Sequence, residues 1–430
     1  MRRHRPLSLT SIAATTGLLA LTLTSCAQAS GDSDNGDLDP VDLRFSWWSS
    51  QEQHINQSII EAFEEEYPHI SVTGEYTDWS SYWDQLATQA AANDAPDVIM
   101  MDNNFVAEYA ERGTLLELSD VDVSEFPDDV LDHGRIDGEI YALSAGLNTM
   151  SLVANPRLFE EAGVELPDDT TWDWEEYAQI TAELSENLDD AWGMSNTAEP
   201  SGFQTWLRQQ GDFFVTDDGE LGFTEDDAAE YFQYHLDLMH QGALPPADVT
   251  SEVIYEGADQ HLTGTGRAAI GFWWSNQLPS LREFSGDDLI LLRFPSRPDH
   301  PGEHGMWFKS SMFVSAASTT EHPEEAQLFI DFLLNDETAG TLALTERGYP
   351  ANLEIREVIA SELDESNTIA VDFLEDLEDE IETQEPLPPI GFGPMEDIFK
   401  RYQIEVFFER MTPEEAATAM YSEMESSLSG

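Results

Sequence analysis

Apolar and polar positions alternate from residue 41. Val41, Leu43 and Phe45 fall on one side of an extended chain, Asp42 and Arg44 on the other, the period-two pattern of a strand. The period then changes: Ile55, Ile59, Ala62 and Phe63 recur at helical spacing within residues 53–67, and Pro68 ends the run. A second strand follows over 70–76, a second helix over 82–93, and the apolar run at 96–101 reads as a buried parallel strand. The helix expected over 105–112 stops at Gly113, a good C-terminal cap. Strands and helices in strict alternation predict a parallel sheet with helices on both faces. Ligands of such sheets bind beyond the carboxyl ends of the strands.

The pattern stops near Gly146 and starts again. A strand is expected over 150–154, helices over 157–162 and 173–187, and a further helix carrying Phe203 and Trp206 near its start. Residues 213–215 and 221–223 suggest a hairpin, and short strands are expected over 268–272, 289–292 and 312–315. The last third is helical over 323–334, 338–344, 369–381, 395–408 and 413–428. No repeat of 20 to 50 residues is evident in the sequence, which argues against a solenoid.

The first forty residues follow a different pattern. Arg2, Arg3 and Arg5 precede an apolar stretch over 12–23 that is short for a membrane span of ~20 residues and leads into small residues. Leu23-Thr24-Ser25-Cys26 resembles the lipobox of bacterial lipoproteins. That resemblance implies a signal peptide over 1–25, lipid attachment at Cys26 and a protein held on the outer face of the cell membrane. Residues 27–40 are small and polar, too poor in apolar surface to offset ordering entropy, and read as a flexible tether. Cys26 is the single cysteine, which excludes an intramolecular disulfide and a zinc site built on several cysteines.

Charge narrows the partners. The chain of 430 residues has 86 Asp and Glu against 18 Lys and Arg, a formal net charge of −68. Phosphate contacts need clustered bases, so nucleic acid is an unsuitable partner, and anionic membrane surfaces repel the chain. The carboxylates are scattered, as in Glu64-Glu65-Glu66, Asp128-Asp129 and Asp376 to Glu380, which fits a solvated acidic coat adapted to high salt. No dinucleotide, phosphate-loop, zinc-protease or nucleophile-elbow motif occurs, so neither cofactor nor metal is expected. A hydrolytic carboxylate pair cannot be singled out among 86 acids.

The aromatic residues carry more information. Trp47 and Trp48 are expected just beyond the first strand, Trp79 in the loop after the second, Trp273 and Trp274 after the strand ending at Phe272, and Trp307 before the strand near Met312. Flat aromatic faces pack against the C–H faces of sugar rings, while amides and carboxylates take the hydroxyls. Phe203, Trp206, Asp102, Asn103 and Asn148 complete this candidate site. Helix capping and turn formation are the ordinary roles of the Asp and Asn residues.

The order of segments resembles the extracellular solute-binding proteins of ABC importers, in the maltose-binding-like, sugar-binding group. The likeness is carried by 95–99 (APDVI) with 109–116 (YAERGTLL), 138–143 (GEIYAL), 155–163 (NPRLFEEAG), 171–174 (TWDW), 264–270 (GTGRAAI), 324–333 (EEAQLFIDFL) and 348–350 (GYP). It covers nearly all of 41–430. Leu143-Ser144 stands where a proline is usual, and Ala154 where a tyrosine is usual. The resemblance implies an α/β, two-lobed periplasmic-binding-protein-like fold (type II), each lobe a mainly parallel sheet flanked by helices, with the ligand between them. It places 41–147 plus 275–316 in the first lobe and 148–274 plus 317–430 in the second. Crossings are expected near Asn148 and Ala316, with a return near Trp274. The implied function is carbohydrate capture by a monomer that delivers its ligand to permease subunits. A polyamine-binding protein and a secreted glycoside-processing enzyme remain the alternatives.

Overall fold

A computed structural model describes residues 39–48, 52–195, 200–216, 218–378, 380–381 and 388–428. The segment expected to be a signal peptide, Cys26 and all of the expected tether except its last two residues lie outside the described residues. Strand β1 (Val41–Trp48), helix α1 (Gln53–Glu66), strand β2 (Ile70–Thr77), helix α2 (Trp79–Ala91), strand β3 (Val98–Met101) and helix α3 (Asn103–Glu111) open the first lobe. β1 lies between β2 and β3 and is parallel to both. The sheet is continued by Phe313–Ala316, antiparallel to β3, and then by Leu143–Ser144.

Helices cover both faces, as the alternation requires. Phe45, Trp47, Ile59, Phe63, Phe329 and Ile330 form one core, under α1 and helix Pro323–Asn335. Tyr82, Leu86, Ile99, Met101 and Val106 form the other, under α2 and α3. α2 begins three residues earlier than expected because the Asp78 side chain accepts a hydrogen bond from Ser81 N at 3.1 Å and caps it.

In the second lobe Met150–Ala154 lies between Ile290–Leu292 and Ala268–Trp274, antiparallel to both, and Trp192–Ser195 runs parallel to Ala268–Trp274. This sheet is therefore mixed, where a mainly parallel one is expected. Its core includes Phe203, Trp206, Tyr231, Phe272 and Phe294, with the helices Glu225–His240, Met395–Phe407 and Pro413–Leu428 around it. Helix Glu225–His240 does not figure in the sequence reading, and the helix expected over 369–381 lies earlier, at Glu365–Leu377. The expected hairpin is reduced to one bridge between Val215 and Leu221.

A third, small antiparallel sheet joins the lobes, with Gly146–Asn148 between Lys309–Ser310 and Tyr349–Pro350. The chain leaves the first lobe through 146–150 and returns through 309–312. It crosses finally between helix Leu353–Ile359 and helix Glu365–Leu377. Ile355 packs on Gly340 of the first lobe, where a β-carbon would lie 2.6 Å from Ile355 Cγ2, whereas Phe373 and Leu377 enter the second core.

These pairings correct the expected lobe boundaries. Most of 275–316 belongs to the second lobe, since Ile290–Leu292 pairs there and Leu278 and Leu281 enter its core. The stretch from 317 to about 359 belongs to the first, because Phe329 and Ile330 pack on Phe45 and Phe63. The chain does not return at Trp274, and the second crossing precedes Ala316. The physical reason is that the hinge strands are two or three residues long, too short to leave a pattern in the sequence.

Candidate functional site

Strand parity separates the first pair of tryptophans. β1 continues through Trp48, so Trp47 and Trp48 point to opposite faces. Trp47 follows Leu43 and Phe45 into the core at 1% exposure, stacked on Tyr76. Trp48 turns to the α2/α3 side, half-buried at the carboxyl edge of the sheet. Trp79 is the first residue of α2 and Trp83 lies one turn on, so both share a helix face. The Trp48 ring lies 5.1 Å from Trp79 and 5.8 Å from Trp83, centroid to centroid. Trp83 in turn stacks on Phe105 at 3.7 Å and 19°. These four rings form a continuous aromatic surface where a parallel sheet presents its binding edge.

Lys309 links the start of α3 to the second lobe. Its ammonium donates to Asp102 Oδ2 at 3.0 Å and stands 4.8 Å from the centre of the Trp274 ring, a cation–π distance. Trp274 meets Trp307 edge to face, at 5.7 Å and 86°. Asp102 is 3% exposed, and its other oxygen accepts from Asn104 N at 3.0 Å as the cap of α3. Both of its oxygens are engaged, so Asp102 orients Lys309. Asn103 is the first residue of α3 and half-buried. Asn148 lies in the hinge sheet, where its side-chain amide donates to Asn276 Oδ1 at 2.9 Å. Its own Oδ1 is buried and has no partner among the described residues.

The structure thus groups Trp48 with Trp79, and Asp102 with Trp274 and Trp307 through Lys309; Asn103 follows Asp102 at the start of α3, and Asn148 lies in the hinge sheet. It removes four other candidates. Trp47, Phe203, Trp206 and Trp273 are 0–6% exposed and pack inside the lobe cores; Trp307 is as buried, at 5%, but lies outside those cores and is placed by its contact with Trp274. Trp273 points away from Trp274 by strand parity and meets His261 at 4.9 Å; Trp206 packs among Trp174, Tyr231 and Tyr234. Trp83, Phe105 and Asn276 adjoin the candidate residues and are absent from the expected set. The four-residue spacing of Trp79 and Trp83 is the signal that could have found Trp83.

Another part of the lobe junction is ionic. Glu52, just before α1, is buried, and burial pushes its carboxyl up to about 8 against the pull of Arg347, with Glu346 raising it further. Arg347, also buried, donates to Asn56 Oδ1. Nearby, a cavity of about 480 Å³ opens between α1 and helix Glu337–Ala343 of one lobe and helices Leu278–Ser285 and Glu365–Leu377 of the other. Glu283, Glu346 and Asp364 line it together with Arg282, and no aromatic ring does.

Residues 58–367 match the model of the bacterial extracellular solute-binding protein family. A putative binding protein of Brucella abortus (strain 2308) is 23% identical over 349 residues, 79% of this chain and 80% of that one. The fold is also that of a periplasmic oligogalacturonide binding protein from Yersinia enterocolitica, solved with saturated digalacturonic acid, at a TM-score of 0.80 and 19% identity over 90% of this chain and 99% of that one. The GacH receptor of Streptomyces glaucescens, solved unliganded and with acarbose, is similar at a TM-score of 0.75 and 18% identity over 91% and 99%. With a matched segment spanning well over half its length, two lobes and a hinge sheet between them, the chain belongs to the bacterial extracellular solute-binding proteins.

Proposed function

We propose that this protein captures a neutral oligosaccharide or disaccharide between its lobes and delivers it, chemically intact, to the permease subunits of an ABC importer. The observation that carries this reading is a pair of aromatic clusters: Trp48, Trp79 and Trp83 at the carboxyl edge of one lobe's sheet, and Trp274 with Trp307 in the other, where Lys309 stands over Trp274 and reaches across to Asp102. Stacked indoles suit sugar rings, and Lys309 keeps donors for hydroxyl oxygens beyond the one it gives Asp102. Sugar complexes are known for proteins of the same fold, with digalacturonic acid and with acarbose. A ligand touching both lobes favours closure by its differential affinity for the closed state, and a nearly complete shift needs roughly 5 kcal/mol of such preference. Thermal melting against a panel of oligosaccharides in high salt tests this reading. A ligand at about 100 times its Kd adds about 2.7 kcal/mol and raises the melting temperature. A panel with no hit overturns it, and so does release of cleaved product.

The lipobox-like Leu23 to Cys26 supports a lipid anchor at Cys26, which keeps the receptor beside its permease. Cys26→Ser is expected to move the protein from the membrane fraction to the medium, read by fractionation. The acidic cavity at Glu283, Glu346 and Asp364 favours a second reading, a polyamine-class ligand. Spermidine binding that weakens steeply with salt, without any saccharide hit, would select it.

A further inference from the structure

Two residues that lie on no crossing segment touch across the lobes. The chain leaves the second lobe's core at Phe392 and re-enters it at Met395. Between them, a β-carbon built on Gly393 would lie 2.4 Å from Cε1 of Phe105, 2.9 Å from Cζ and 3.1 Å from Cδ1, and these are its three nearest neighbours. Phe105 belongs to the first turn of α3 in the first lobe and packs with the core under α2 and α3. Its ring is held by the 3.7 Å stack on Trp83. It therefore has little freedom to swing aside.

The backbone does not explain a glycine at this position. Gly391, two residues earlier, has φ +83°, in the region that L side chains avoid, and Gly393 does not lie in that region. What only glycine permits at 393 is the approach of the ring. Because the two partners belong to different lobes and neither lies on 146–150, 309–312 or 360–364, rotation of one lobe against the other changes their separation, and parting them exposes the Phe105 ring to water.

We propose that Phe105 and Gly393 form a latch that favours the closed arrangement of the lobes without any contribution from ligand. The latch rests on the two-lobed reading and is independent of what the cleft binds. It reduces the differential affinity that a ligand must supply for closure. Its contact is an α-carbon against a ring, small enough to be released when the lobes part.

The test needs no saccharide. The mature chain carrying Cys26→Ser receives spin labels at Glu111→Cys on the first lobe and Asp397→Cys on the second, both exposed, and the interlobe distance distribution is measured by pulsed electron resonance. Gly393→Val is expected to lower the ratio of short to long distances by about tenfold, the effect of overpacking a closed contact. Phe105→Ala should lower it less, and Gly393→Ala should lower it in the parent but not in the Phe105→Ala background. An unchanged distribution in Gly393→Val overturns the proposal. So does an equal effect of Gly393→Ala with and without the Phe105 ring, which would place its action inside the second lobe. Far-ultraviolet dichroism of each variant keeps unfolding distinct from opening.

Discussion

Trp47 and Trp48 are neighbours with opposite tasks, and substitution should separate them. Trp47→Ala removes a side chain that is 1% exposed from between Phe45 and Tyr76 and is expected to cost about 3–5 kcal/mol of stability, read by denaturant melts. Trp48→Ala removes a half-buried ring, should cost clearly less stability than Trp47→Ala, and should weaken a saccharide ligand about tenfold in calorimetry, about 1.4 kcal/mol. The reverse outcome would exchange their roles. At this scale the sequence displays the tandem tryptophans but hides their parity, because where the strand ends decides which ring faces the core. The same holds for Trp273 and Trp274. Asp102 is legible as a helix cap, but its pairing with Lys309 depends on a residue more than 200 positions away.

Among elements, those with a long period or a cap are legible and those built by tertiary pairing are not. α1, β2 and helix Trp174–Asn187 lie close to where periodicity puts them, and Asp173 caps the last by accepting from Glu175 N and Glu176 N at 2.9 Å. Helix Glu225–His240 is the exception: it is missing from the expected elements although a capping box, Thr224 with Asp227, marks its start. The hinge strands carry no such mark, since each is defined only by its partner. Two buried histidines give the second lobe a pH dependence. His235, in helix Glu225–His240, and His261, against Trp273, are lowered to about 4 by burial, with Lys400 lowering His261 further. Both are neutral in the folded chain and titrate near 6.5 when unfolded. Their contribution is therefore full above pH 6.5 and is lost as pH falls toward about 4, up to about 3 kcal/mol each. Glu52, raised to about 8, acts in the opposite direction over the same window, so the histidine contribution is read as a difference: between pH 6.5 and 4 the parent should lose more melting temperature than His261→Gln, and equal slopes would contradict the assignment.

For the whole molecule, the two-lobed α/β architecture is legible from segment order, whereas the exchange of segments between lobes is not. Surplus charge acts at this scale too. Arginines such as Arg44, Arg157, Arg293 and Arg401 already sit on carboxylates, which leaves most of the 86 acids to repel one another. Raising sodium chloride from about 0.1 M toward molar concentrations shortens the Debye length from about 10 Å to 3 Å and should raise the melting temperature by several degrees; a fall would count against salt adaptation.

Strand Phe313–Ala316 fills the place between β3 and Leu143–Ser144 in the first sheet, and the second lobe waits for helices that begin at Glu365 and run to Leu428. A chain emerging from its amino end therefore cannot complete either lobe during the first three-quarters of its synthesis. Until then the first sheet has a gap one strand wide, with unpaired edges that invite association. The nascent protein must be kept apart from its neighbours, or kept unfolded, until almost all of it is available.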